Sequence, residues 1–234
     1  MNRQEQGLGV GVVLLGLIVI VLAIMLAVRH NQSLAGFSQA AETRRYWSQL
    51  SAGSLVLGRA DAKHTVVVFT DYQCAVCRDY DLMLHDLLTS YPADVKVVVR
   101  QNPLRAIHPF ADLAANAAVC GDAQAGFAAV HRSLFARQDL LAAQAWGALG
   151  HEAGIADTVS FVQCARERRS ENVVAEDVRL ANALRLRRSP SVILDGELLG
   201  STPNLGQIAL RGGFGPGPGT KPGKRGAFPP PQDR

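Results

Sequence analysis

Two cysteines spaced Cys-Ala-Val-Cys, Cys74 and Cys77, close the stretch "VVVFTDYQCAVC". Thiols at that spacing can ligate a metal, staple a loop, or exchange electrons with other thiols as a couple. Zinc asks for four ligands and normally a second Cys or His pair. Here Cys120 and Cys164 stand singly, and His131 and His151 read as solvated residues on helix surfaces. A staple across so short a loop gains little closure entropy. Two inert buried thiols form the plainest alternative. A Cu(I) carrier would use the same thiolates, but two of the three Met lie in or beside the apolar N-terminal segment.

What separates these readings is the setting of the pair. Thr65 to Thr70 is β-branched and aromatic without polar alternation, the pattern of a strand buried on both faces. From Ala75 the apolar period becomes helical through Tyr80, Leu84, Leu87, Leu88 and Tyr91, and Pro92 marks the stop. Asp94 to Pro103 is strand-like again, which makes a βαβ unit with parallel strands. Cys74 therefore stands where unpaired N–H groups and the helix dipole stabilise a thiolate. That makes Cys74 the attacking thiol and Cys77, one turn further in, the resolving one. Between a buried strand and its helix, the pair is a strong redox signal.

The remaining elements must complete that unit. An alanine-rich helical region runs from about Pro109 to Arg169, and another helix from about Glu171 to Leu186. A strand at Ser191 to Leu194, an Asp195–Gly196 hairpin turn and a short return strand follow. Ser189–Pro190 stands at the strand entry, where a proline is tolerated. From local sequence, a cis peptide there and an ordinary loop proline are equally open.

At the N-terminus, Leu8 to Val28 carries no charge for 21 positions. That length spans about 30 Å, a bilayer core, and has no polar face. A cleaved signal peptide would have a shorter apolar stretch, of roughly 7–15 residues. Flanking charge scarcely sets the orientation. An even number of cysteines behind an anchor suits an oxidising exterior, which leaves residues 1–7 cytoplasmic and the domain outside. Residues 29–53 read as a stalk that runs into a short helix by about Gln49, 54–211 as the folded domain, and 212–234 as a disordered Gly/Pro-rich tail. The net charge of +4 and the scattered arginines show no nucleic-acid stripe, so no nucleic-acid partner is expected.

"FTDYQCAVC", followed downstream by "RLRRSPSVILDGELLG", resembles the DsbA-like branch of the thioredoxin superfamily. "HPFADLAANAAVCGDAQAGFAAVHRSLFA" is similar to that family's inserted helices. The resemblance covers roughly Ser54 to Arg211. It implies an α/β thioredoxin fold with a helical insertion at about 105–170, preceded here by one transmembrane helix. Cys74 is implied as nucleophile, Cys77 as resolver, and Pro190 as a cis residue packed on the pair. Ser189 is implied to offer its backbone to an extended substrate peptide. Asp71 matches an acidic position for proton transfer, with turn capping as its alternative.

The family often has Pro or His between the cysteines, and this chain has Ala75 and Val76. A less stabilised thiolate makes a couple less oxidising, unless Arg78 turns back toward the sulfur. Some family members carry a second disulfide in the insertion, which implies a Cys120–Cys164 bridge here; two free thiols are the alternative. The activity implied is extracytoplasmic thiol–disulfide exchange on cysteine-containing proteins. It needs no metal or organic cofactor, and a redox partner in or near the membrane resets the couple. A peptide-binding chaperone with incidental cysteines is the competing function.

Overall fold

The computed structural model describes residues 3–124 and 126–214, without the side chains of residues 3–14 and 32–38. By contacts the chain divides into residues 1–45 and 46–234. Helix α1 (Arg3–Ser51) begins in the first unit. There the large apolar side chains from Leu15 to Val28 are 48–66% exposed. Among the described residues no helix is long and apolar enough to cross a membrane. Residues 8–14 of the expected anchor fall outside the described side chains.

The second unit is built on a five-stranded sheet. Strands β1 (Val56–Gly58), β2 (His64–Thr70), β3 (Val95–Gln101), β4 (Ser191–Leu194) and β5 (Glu197–Gly200) stand in the order β1-β3-β2-β4-β5. Only β2 and β3 pair in parallel, with Val66 opposite Val97 and Thr70 opposite Gln101. Helix α2 (Ala75–Ser90) is the crossover that parallel pairing requires. Alternation along the central strands serves two cores. Val66, Val68, Val97 and Val99 pack with Leu84 and Leu87 of α2. Val67, Phe69, Val98 and Ile193 pack with Leu180 of the later helix α7 (Glu171–Ala183) and with its C-cap residue Leu184. The Asp195–Gly196 turn joins β4 and β5 with φ of 47° and 86°, as a two-residue hairpin of this kind demands.

Between β3 and α7 come α3 (Ala111–Asp122), α4 (Phe127–Ala136), α5 (Trp146–Glu152) and α6 (Thr158–Arg166), with a 3₁₀ turn at Gln138–Leu140. Their apolar faces, including Val130, Leu134, Trp146 and Phe161, join the α2 side of the core. Cys120 of α3 and Cys164 of α6 form a disulfide.

Both edges of the domain differ from the sequence expectation. The stretch 29–53, expected as a stalk, is helical to Ser51, and its end belongs to the domain. Tyr46, Trp47 and Leu50 share one helix face, and Leu50 is fully buried in the α7-side core. Buried Arg100 supplies the reason, because its guanidinium donates to the carbonyls of Gln49 and Leu50, which the helix leaves unpaired at its end. The same guanidinium pairs with Asp177 of α7 at 2.7 Å. At the other edge, α8 (Leu205–Gly212) opens with a capping box on Asn204 and Gln207. Of the tail expected from 212, residues 212–214 are described, and Gly212 ends α8. The Phe214 ring packs at 4.9 Å from the His64 ring and 5.1 Å from the Tyr91 ring. The tail from residue 215 lies outside the described residues.

The bridge between α3 and α6 closes a 44-residue separation. Replacing Cys120 and Cys164 by Ala together is expected to lower stability by about 3–4 kcal/mol in the chain-entropy picture. Urea unfolding of the variant against the parent, with Cys74 and Cys77 unchanged, measures this.

Candidate active site

Strand β2 ends at Thr70 and α2 starts at Ala75, so Asp71 to Cys74 must reverse the chain within one tight loop. Asp71 holds that loop. Its carboxylate is buried and accepts from the Gln73 N–H at 2.8 Å, the Leu104 N–H at 2.8 Å and His108 Nδ1 at 2.8 Å. One buried side chain thus joins the loop before the cysteines to the loop after β3. The Asp71 carbonyl accepts from the Cys74 N–H at 3.2 Å. Gln138, in the insertion, donates its amide to the carbonyls of Tyr72 (2.8 Å) and Cys74 (3.2 Å). The loop is fixed from both sides.

Cys74 is the N-cap residue of α2, with extended backbone, and its side chain is 9% exposed. Cys77 is 1% exposed and lies inside. Both thiols are free. The Cys74 thiol is pulled down to about 6, first by the hydrogen bond from the Cys77 thiol and then by the N–H groups of Cys77 and Val76. Burial and the Asp71 charge oppose the shift. Cys77 moves the other way: its proton is held by the Cys74 thiolate, and burial adds to the rise. An anion at a helix start is what the unpaired N–H groups there favour. The two sulfurs divide the labour by position.

The Ser189–Pro190 peptide is cis and opens β4. The Ser189 carbonyl lies 3.6 Å from Cys74 Sγ. The Ser189 hydroxyl donates to the Asn102 carbonyl at 2.9 Å, which ties this turn to the end of β3. Residues 50–208 match the family model described as thioredoxin. The chain belongs to the thioredoxin family.

Solved relatives agree with that fold. A thioredoxin-like oxidoreductase from Silicibacter pomeroyi is 26% identical, with 65% of this chain and 86% of that one covered at a TM-score of 0.55. The thiol-disulfide exchange protein alpha-DsbA2 from Wolbachia pipientis is 14% identical, with 75% and 94% covered at a TM-score of 0.63. The helices inserted between β3 and α7 make this the DsbA-like variant of the thioredoxin fold. Among curated proteins, the Na(+)/H(+) antiporter NhaA 3 of Salinispora tropica is 30% identical over 141 residues, covering 60% of this chain and 21% of that protein. The chain spans about a fifth of the length of the curated relatives it matches.

Within this thioredoxin-family site, two sequence expectations need correction. Arg78 does not turn back to the sulfur. It pairs with Asp79 at 3.2 Å and reaches Gln138 at 3.4 Å, because the Asp79 carboxylate is adjacent and exposed whereas the Cys74 sulfur is buried. His131 is not solvated. It is 2% exposed, with Nδ1 2.7 Å from the Tyr72 hydroxyl and Nε2 2.7 Å from an Asp81 oxygen. The chain Tyr72–His131–Asp81 therefore runs from the active-site loop, through the insertion, back to α2. The sequence held a signal for it: His131 is four residues after Phe127 and four before Phe135, on the apolar face of α4. His151 is exposed, and among the described residues no three His, Cys, Asp or Glu side chains converge to hold a metal.

The nucleophilic form of Cys74 is the thiolate, present above its value of about 6 and lost below it. Alkylation of the reduced protein by iodoacetamide should follow one titration with a midpoint near pH 6, on Cys74 alone. Cys77 should stay unmodified below pH 9, as peptide mass mapping would show.

Proposed function

We propose that this protein is an extracytoplasmic thiol–disulfide oxidoreductase that forms, isomerises or reduces protein disulfides through Cys74 and Cys77. The observation that carries the reading is Cys74 Sγ at the start of α2, facing the Ser189 carbonyl beside a cis proline, with Cys77 buried behind it.

The exchange needs only thiols. The Cys74 thiolate attacks one sulfur of a substrate disulfide. The Cys74–substrate bond forms, the substrate S–S bond breaks, and the other substrate sulfur leaves as a thiolate. Cys77 then gives up its proton and attacks Cys74 Sγ. The Cys74–Cys77 bond forms and the substrate departs as its second thiolate, having gained two electrons in all. Run backwards, the same steps pass a disulfide to a reduced substrate. A separate thiol or disulfide partner resets the couple.

A substrate peptide lies extended along Ser189 and Pro190, where backbone groups at a strand edge can pair with it. Asp71, put forward for proton transfer, serves in this reading as the clamp that fixes the loop, since its oxygens already accept three donors. The Cys74 value of about 6 lies between the thioredoxin value of about 7 and the DsbA value of about 3.5. That supports a couple poised between reductant and strong oxidant, as expected for a motif without His.

Replacing Cys77 by Ser removes the resolving step and should trap Cys74–substrate mixed disulfides, visible as adducts on non-reducing gels that thiols release. Replacing Cys74 by Ser should abolish both adducts and turnover. A Cys74→Ser protein with its cellular phenotype intact would favour a peptide-binding module instead.

The anchor belongs to the same proposal. Leu8–Val28 is uncharged throughout, and its described apolar side chains are exposed. We place it across the membrane with residues 1–7 inside and the thioredoxin-fold domain outside. Protease added to intact spheroplasts should then digest the domain, and alkaline carbonate should leave the protein in the membrane pellet. A protected or extractable protein would refute the topology.

A further inference from the structure

Most arginines of the domain carry a carboxylate partner. Arg59 pairs with Asp61, Arg78 with Asp79, Arg100 with Asp177, and Arg105 and Arg168 share Asp112. Arg185, Arg187 and Arg188 have none among the described residues, and all three are exposed. The other unpaired arginines of the domain, Arg132 and Arg166, stand singly on α4 and α6. Three free guanidiniums within four residues are a departure from this chain's own habit.

Their place gives the departure meaning. The run "LRLRRSP" leads directly into Ser189 and the cis Pro190. Leu184 and Leu186 are buried, the Leu186 N–H donates to the Ala181 carbonyl at 2.8 Å, and the Arg188 carbonyl accepts from the Ser191 hydroxyl at 2.8 Å. The backbone is thus pinned, with leucines inward and arginines outward. Successive Cα atoms are about 3.8 Å apart, so Arg187 and Arg188 stand within about 8 Å of Ser189 along the chain. Ser189 is the residue whose carbonyl lies 3.6 Å from Cys74 Sγ.

No described carboxylate forms an ion pair with them, and three carboxylates of the domain are engaged elsewhere. Asp71 is buried under three donors, Asp79 holds Arg78, and Asp177 holds Arg100. Val76, between the cysteines, is 53% exposed, and Ile107, in the loop that Asp71 clamps, is 68% exposed. The chain entering Pro190 therefore presents exposed cations, and Val76 and Ile107 add exposed apolar surface near Cys74.

We propose that the protein segment taken up at Cys74 carries Asp or Glu beside its cysteine, with Arg187 and Arg188 as the residues that select it. This rests on the reading of Cys74 as the attacking thiol. Opposite charge across an open site raises the encounter rate more than the final affinity, and salt screens it.

The test uses the reduced full-length protein in neutral detergent. Its substrates are two peptides with the same single disulfide, flanked either by Asp or by Lys. Rates are normalised to the rate on uncharged hydroxyethyl disulfide. The acidic peptide should react about tenfold faster in low salt, and the gap should close in 0.5 M NaCl. In the Arg187→Glu/Arg188→Glu protein the preference should invert. Equal normalised rates for the two peptides would overturn the inference and leave the redox reading standing. A protein inert even to hydroxyethyl disulfide would overturn both. Equal peptide rates, with vesicle binding to phosphatidylglycerol lost in the double variant, would assign the arginines to a lipid surface and overturn the selection of acidic segments.

Discussion

The site depends on one constraint: a sulfur anion is stabilised without a neighbouring cation. Every donor that lowers Cys74 belongs to one turn of α2, namely the Cys77 thiol and the N–H groups of Cys77 and Val76. Such donors act only if the sulfur sits at the N-cap and stays there. Geometry has to do what charge does elsewhere. That explains how heavily the loop is secured: Asp71 beneath it, Gln138 across it, and the Ser189 carbonyl facing the sulfur. The device that lowers one thiol raises the other, since Cys77 cannot both donate to the thiolate and ionise beside it.

The fold supplies these fixed points from distant parts of the chain. Parallel pairing of β2 with β3 sets the ends of both strands side by side, so that Asp71 can reach the Leu104 N–H. Antiparallel pairing of β2 with β4 sets Ser191 opposite Phe69 and brings the cis proline to the same end of the sheet. The insertion does more than cover α2. It delivers Gln138 to the loop carbonyls and His131 to Tyr72 and Asp81. Losing either partner of a buried hydrogen bond strands the other, at roughly 1–3 kcal/mol per group. The disulfide joins α3 and α6, the helices on either side in sequence of the segment that makes these deliveries.

The legible parts of the sequence were those governed by local period or local chemistry. The apolar run of β2, the helical repeat of α2, the Asp195–Gly196 turn and the Cys-x-x-Cys each carry their signal within a few residues. The cis state of Pro190 was open from the residues themselves and was implied only by the family resemblance. What stayed hidden depends on partners far along the chain. Nothing near Gln49 announces that Arg100 will take its carbonyl and extend the domain into the supposed stalk. His131 looks polar, and only its position among Phe127, Val130 and Leu134 shows that it faces inward. For Arg78 the sequence reading weighs only a turn back toward the sulfur, and the side chain pairs with the adjacent Asp79 instead.

Locality of the donors also bears on how this thioredoxin-family couple can be tuned. A His between the cysteines adds a charge to the same space, whereas Ala75 and Val76 add none. The balance on the Cys74 sulfur then rests first on the Cys77 thiol and next on the backbone donors of the helix start, with burial opposing them. The donors to the sulfur come from the α2 side, and the Ser189 carbonyl faces it from the β4 side, where the Ser189 hydroxyl ties the turn to the end of β3.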